Sequence, residues 1–289
     1  MPVQATKEVR LPMSFQPRPI RTLLREWLLP RKTQHQLRSQ QQILINGRYQ
    51  SINTDVHGGD RIWMHFTDLG IADQHYLPSQ AFPLDVLYET ADLLIVNKPS
   101  GVKSHPNRPD ETGTMMNVAA SYLAAKQERP YMIHRLDMAT SGALLIAKSP
   151  AVVAPLNRQL ALKTMQRSYI ADVRGRLEPS QGTIDLPIGL DPTDKRKRTV
   201  DYDHGLAART HYQVLSRTAT TTRIQLTLET GRTHQIRVHL AALGHPLLND
   251  PLYDSDAALE HRMHLHANRM TLTIPFTFIR LSVPAPLKD

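Results

Sequence analysis

The chain has 289 residues, room for about two domains at roughly 150 residues each. Its 40% hydrophobic and 21% charged residues suit a packed core rather than disorder, collagen or a coiled coil. Lys and Arg total 35 against 26 acidic residues, and a net +9 attracts polyanions, of which nucleic acid is the commonest.

The absence of cysteine excludes disulfides, thiolate nucleophiles and Cys-ligated metal. No apolar run reaches membrane-spanning length, and residues 1–20 carry charges and prolines where a leader peptide would be apolar. A cytoplasmic, basic, globular protein with no membrane partner is expected.

Charge is uneven. Residues 1–50 hold nine Lys/Arg and two Glu, whereas residues 51–80 hold one Arg and four Asp. After Pro19, Ile20, Leu23, Leu24, Trp27 and Leu28 recur at helical spacing with Arg21 and Arg25 on other faces, until Pro30 ends the helix. Residues 33–42 allow a second, basic helix with a weak apolar stripe. Ile43-Leu44-Ile45 then runs into Asn46-Gly47, a type I′ hairpin signal, and the turn at 57–60 precedes the alternating strand Ile62, Met64, Phe66. These make a small module of two helices and a short hairpin-bearing sheet, with its cations on the helices.

Residues 67–83 read as a connector. Beyond it, Leu93–Val96 and Ala143–Ala147 are buried strands, Met116–Gln127 is a helix, and Pro150 opens another. Tyr169–Val173 is strand-like, and Ile224, Leu226 and Leu228 alternate with polar residues as in an antiparallel strand with one wet face. Thr233–Leu243 is helical and stops at Gly244. Strands outnumber regularly spaced crossover helices, so the fold expected is α+β with a mixed, mainly antiparallel sheet. The domains expected are 1–75 and 84–289, each self-contained.

Three segments can carry chemistry. In the first, His134 to Gly142, Asp137 follows Arg135 and precedes Ala139, Thr140, Ser141 and Gly142. On the residues alone, a side-chain cap on a tight turn is the favoured reading of Asp137. The second runs from Thr230 to His239: Gly231 frees the backbone, Thr233 can cap a helix, and Arg232 lies where helix amides attract a phosphate. Arg237, one turn in, can pair with a buried carboxylate, although a merely solvated helix fits as well. The third is the cation run Lys195, Arg196, Lys197 and Arg198, either a solvated loop or a phosphate contact.

His234, His239, His245, His261, His264 and His266 suggest a metal, but no ligand spacing supports one. Phosphate-binding glycine loops for ATP or NAD are also absent. No cofactor or metal is expected.

Together these segments resemble the RluA-type pseudouridine synthases of ribosomal and transfer RNA. The resemblance covers roughly residues 84–286. It rests on Leu93–Gly101 with His105-Pro106, His134–Gly142 with Ala147-Lys148, Arg167–Ala171, Thr230–His239 running on to Gly244-His245-Pro246 and Asp250, and Leu265-His266-Ala267. Two departures are Arg167, where the family usually has Lys, and Ile274-Pro275, where it usually has His-Pro; Arg is no isostere of Lys. The amino-terminal module is similar to the alpha-L RNA-binding fold, through its basic helix pair, Ile-Asn-Gly hairpin and Gly-Asp turn.

The resemblance implies an isomerase that turns uridine into pseudouridine within RNA. Uridine must first leave its stack. Arg135 would fill the vacated space, Tyr169 would stack on the uracil, and Asp137 would act at the sugar, either attacking the anomeric carbon or serving as base for a glycal route. Either route needs Asp137 ionised, with Arg237 the candidate cation. Arg232, His234, residues 195–198 and the helix residues Arg21 and Arg25 would bind RNA, setting register rather than reading sequence. The expected target is large-subunit ribosomal RNA, with transfer RNA the alternative, and the expected state is a monomer. The rival readings are a non-catalytic RNA-binding protein and a metal hydrolase.

Overall fold

In a computed structural model of the chain, residues 3–71, 74–258 and 260–288 are described. The outer limits expected for the two domains, positions 1 and 289, lie outside them. The amino-terminal part contains β1 (Ala5–Arg10), β2 (Arg18–Pro19), α1 (Ile20–Glu26), α2 (Arg31–Ser39), β3 (Ile43–Ile45), β4 (Arg48–Tyr49), β5 (Asp55–Val56) and β6 (Arg61–Phe66). Strands β1, β6, β3 and β4 pair in that order into an antiparallel sheet.

The expected hairpin is present: Asn46 and Gly47 have φ of 51° and 80°, as the primed turn demands. β1 was not anticipated. Its burial alternates only between half-buried and exposed, so its sequence carries no strong apolar period. Ile20, Leu23 and Leu24 of α1 and Leu37 of α2 are buried, which leaves Arg21 and Arg25 on the solvent face.

The larger part comprises β7 (Val86–Glu89), β8 (Leu93–Lys98), α3 (Met115–Ala124), β9 (Tyr131–Met132), β10 (Ser141–Ala147), α4 (Val153–Ala161), β11 (Gln166–Arg174), β12 (Gln181–Asp185), β13 (Ile188–Leu190), β14 (Arg198–Val200), β15 (Arg209–Arg217), β16 (Thr221–Leu228), α5 (Gln235–Ala242), β17 (Leu265–Thr273) and β18 (Arg280–Pro284). Among the described residues, a ten-stranded sheet runs β12-β15-β16-β11-β17-β10-β8-β7, with β18 on β17 and β9 on β10. Every pairing in it is antiparallel except β10 with β17, so the mixed, mainly antiparallel α+β reading holds.

Two helices differ from expectation at their ends. α3 starts one residue early because Thr114 caps it, its hydroxyl accepting from Asn117 N–H at 3.4 Å, and it stops at Ala124, three residues before Gln127 turns left-handed at φ 58°. Pro150 opens a 3₁₀ turn, Pro150–Val152, before α4 proper.

The modules are not self-contained. One apolar cluster joins Leu24, Trp27 and Met64 of the first to Leu93, Val152 and Phe276 of the second. Trp27 meets the Phe276 ring edge-on at 5.4 Å, and Lys7 forms an ion pair with Asp92. The sequence showed the apolar faces but not that they face each other. No helix among the described residues is long and apolar enough to cross a membrane.

Candidate active site

The loop between β9 and β10 is held from beneath. His134 is buried, its Nε2 accepting the Leu145 N–H at 3.0 Å, and burial together with the nearby Arg167 charge pulls its pKa down to about 3. Ser104 Oγ accepts from Leu136 N–H at 3.0 Å and donates to the Leu136 carbonyl at 2.7 Å. Lys98 has no exposed surface and donates to the carbonyls of Pro99, Val102 and Met138 at 2.8, 2.6 and 3.1 Å. These contacts span both flanks of position 137.

The turn itself is closed by main chain, Thr140 N–H donating to the Asp137 carbonyl at 3.1 Å. The side-chain cap favoured on the residues alone is not formed. With the backbone supplying the turn bond, the carboxylate is left for other partners. Its Oδ2 lies 3.5 Å from Arg237 Nη1 and 3.8 Å from His234 Nε2.

Arg237 does find a buried carboxylate, but the closer one is Asp250. Nε and Nη2 donate to its two oxygens at 2.8 and 2.7 Å, a fork that fixes the guanidinium plane and leaves Nη1 for Asp137. The guanidinium also lies 5.0 Å from the centre of the Tyr253 ring. Tyr253 further accepts the Arg198 N–H at 2.7 Å and bonds His234 Nδ1 at 3.0 Å. With the Tyr253 O–H donating to Nδ1, His234 carries its proton on Nε2, toward Asp137. Burial lowers the His234 pKa against the pull of Asp137.

Thr233 does not cap α5, which begins at Gln235; the capping position is His234, left-handed at φ 57°. Gln235 explains the difference. Its side chain accepts from Arg232 N–H at 3.0 Å and Thr230 O–H at 2.7 Å, and donates to the Arg209 carbonyl at 3.0 Å, pinning the loop to β15. A non-glycine residue held left-handed costs on the order of 1–3 kcal/mol, and such strain clusters at functional sites.

A pocket of about 120 Å³ collects these groups: Arg135, Asp137, Tyr169 (4% exposed), Arg232, His234 and Arg237 all line it, and so does Arg167. Four arginines face one carboxylate. The volume is small beside the roughly 300–1,000 Å³ of sites for drug-sized ligands.

The other predicted residues lie elsewhere. Arg21 and Arg25 are on α1. Lys195 and Lys197 do not line the pocket, Arg198 opens β14, and Arg196 is paired with Asp194 and lines a neighbouring cavity. Thus the 195–198 run is partly neutralised and partly strand, not four free cations in a loop.

The C-terminal histidines have hydrogen-bonding partners instead of a shared centre. His239 bonds Thr210 and the Leu186 carbonyl, His245 the Arg174 carbonyl, and His264 Asp172. His266 donates from Nε2 to the Ala285 carbonyl at 3.0 Å and so accepts the Ser141 O–H at Nδ1, at 2.9 Å.

That last bond ties two motifs at the parallel β10–β17 crossing, where Gly142 pairs with Ala267. Gly142 has φ 111°, and a Cβ there would meet the Ala267 oxygen at 2.3 Å. Only glycine fits. Sequence reasoning did not single out Lys98, Arg167, Asp250 or Tyr253 as parts of the site. Lys98, Arg167 and Asp250 fall inside the family-like blocks; Tyr253 has no sequence signal at all.

Comparison with known proteins places the chain in a family. The profile of the RNA pseudouridylate synthase family matches residues 92–242, and that of the RluD ribosomal pseudouridine synthase N-terminal domain matches residues 7–62. The chain is 40% identical over 252 residues to the uncharacterized RNA pseudouridine synthase YhcT of Bacillus subtilis (strain 168), spanning 86% of this chain and 82% of that protein. It is 39% identical over 222 residues to the ribosomal large subunit pseudouridine synthase D of Nitrosomonas europaea, spanning 73% of this chain and 64% of that protein. The structure of human RNA pseudouridylate synthase domain containing 1 is similar with a TM-score of 0.60 at 28% identity, covering 72% of this chain and 85% of that one.

Proposed function

The chain belongs to the RNA pseudouridylate synthase family, an isomerase of uridine in RNA, and from that premise we propose that Asp137 is its catalytic carboxylate and large-subunit ribosomal RNA its substrate. The observation that carries the site is the approach of Arg237 Nη1 to Asp137 Oδ2, 3.5 Å, in a pocket walled by Tyr169.

In this reading uridine is everted from its stack, at a cost of a few kcal/mol that backbone contacts offset. Arg135 enters the space it leaves. The uracil lies on Tyr169, with C1′ of its ribose facing Asp137. The bond from N1 to C1′ breaks, the base turns, and C5 bonds to C1′; the C5 proton leaves and N1 gains one, so mass is unchanged. Asp137 acts either by attack on C1′ or as base for a glycal, with Arg237 and the Nε2 proton of His234 beside its charge. Tyr169 O–H assists proton removal at C5. Arg232, Lys195, Arg196, Lys197 and Arg198, with Arg21 and Arg25 on α1, contact phosphates, while His234 stays at the RNA-facing pocket beside Asp137.

The two-part division at 1–75 and 84–289 is supported by the two separate sheets and by where the two family profiles fall. The ribosomal target is supported by the amino-terminal match. The proposed state is a monomer, and the proposed compartment is the cytoplasm, where such a substrate is found.

Carbodiimide primer extension on ribosomal and transfer RNA transcripts, treated with the purified protein, tests the target. New stops in large-subunit RNA are expected. Stops confined to transfer RNA replace the proposed target with the alternative, and no stops in either leave a protein that binds RNA without isomerising it.

A further inference from the structure

A second cavity of about 470 Å³ shares a wall with the base pocket: Arg135, Leu136, Asp137, His234 and Arg237 line both. Its remaining rim brings Lys103 from the loop after β8 and Arg196 from the loop before β14. Among the described residues Asp137 is its one lining carboxylate, against four Lys and Arg. We propose that this cavity is a phosphodiester subsite, which takes a phosphate flanking the target uridine through Lys103 and Arg196. The proposal rests on the isomerase reading above, for it follows the strand outward from a nucleotide whose base occupies the first pocket.

Two features support a phosphate. First, the first pocket, at about 120 Å³, is small for a whole nucleotide, and the adjoining cavity shares with it Asp137, the residue placed at C1′ in this reading. Second, Lys103 and Arg196 are each held by an acid that is not itself in the lining. Glu111 pairs with Lys103 while its other oxygen accepts the Asn107 N–H at 2.6 Å; Asp194 accepts from Arg196 at 2.7 Å. Such bracing fixes two long side chains before the ligand arrives and so lessens the rotamer entropy lost on binding.

The test uses the full chain and an RNA containing its mapped target uridine. Lys103→Gln and Arg196→Gln should each raise KM about tenfold with kcat within twofold of the parent, and should lower the slope of log affinity against log salt by about 0.7–0.9. Lys103→Arg should restore most of the loss. Arg176→Gln, removing an exposed cation paired to Glu178 far along the chain, is the charge-matched control and should leave KM unchanged. A neutral methylphosphonate placed 5′ or 3′ of the uridine identifies which phosphate is bound. At the correct position it should weaken the parent about tenfold and the Lys103→Gln, Arg196→Gln double variant hardly at all.

Parent-like KM and salt slope in both variants, or equal loss from the methylphosphonate in parent and double variant, overturns the subsite. So does a fall in kcat alone. Arg196 is exposed, so its variant stays informative should Lys103→Gln unfold. Absence of turnover by the parent on any RNA is a different result: it defeats the isomerase reading, and the same substitutions are then read in equilibrium affinity for the oligonucleotide.

Discussion

At position 98 a lysine is enclosed with its amino nitrogen within hydrogen-bond reach of three carbonyls, one of them on the residue that follows Asp137. Burial pulls its pKa from the ordinary 10.5 to about 7, against the attraction of Asp137. The unfolded chain therefore holds a proton on Lys98 between about pH 7 and 10.5 that the folded chain sheds. Where the unfolded state binds more protons, stability rises with pH. Urea unfolding at pH 7 and pH 9 should show the parent gaining on the order of 2 kcal/mol relative to Lys98→Met over that interval. Parallel pH curves for the two proteins would show that Lys98 keeps its proton when buried. His134 follows the same sign at lower pH: its folded pKa near 3 makes it a contributor present above pH 6.5 and lost as acid approaches the lower value.

The elements meet most tightly where β10 and β17 run parallel for two residues. Gly142 allows backbone to touch backbone there, and the Ser141–His266 bond seals the crossing next to the Asp137 turn. Gly142→Ala must both hold a left-hand φ and push aside the Ala267 peptide, so a loss of about 3 kcal/mol or more in denaturant unfolding is expected. A loss under about 1 kcal/mol would mean that the crossing is pliable.

Much of this was readable beforehand. The period-2 alternation of β16, the Asn46-Gly47 turn and the helix after Pro19 each follow from a local rule, and the family-like blocks located Asp137, Arg237 and Tyr169. What was not readable depends on distance in the chain. Asp250 takes the strongest bonds of Arg237 from 13 residues away, Tyr253 lies 19 residues from His234, and neither spacing is a helix or strand period. The start of α5 was misplaced because Gln235, a residue without capping preference, is anchored to β15 by bonds that no local pattern announces.

Across the whole molecule, the amino-terminal module is docked rather than strung on a linker. Trp27 against Phe276, Lys7 beside Asp92, and a shared apolar cluster hold α1 and its Arg21 and Arg25 in a fixed relation to the large sheet. On the proposed function, a rigid relation of this kind lets phosphate contacts at Arg21 and Arg25 set which uridine reaches the pocket. Arg135, Arg167 and Arg232 are in no ion pair among the described residues. An RNA backbone is thus the natural counter-charge for a chain with a surplus of nine.

All of this converges on one carboxylate, so the most direct measurement is tritium release from C5-labelled uridine in the target RNA by the parent and by Asp137→Asn. The substitution keeps size and turn geometry, since the turn is closed by the backbone. Release should fall at least about a thousandfold, a loss of about 4 kcal/mol in transition-state stabilisation. RNA affinity and melting temperature should stay near those of the parent. Release within about tenfold of the parent would contradict the assignment of Asp137 as catalyst.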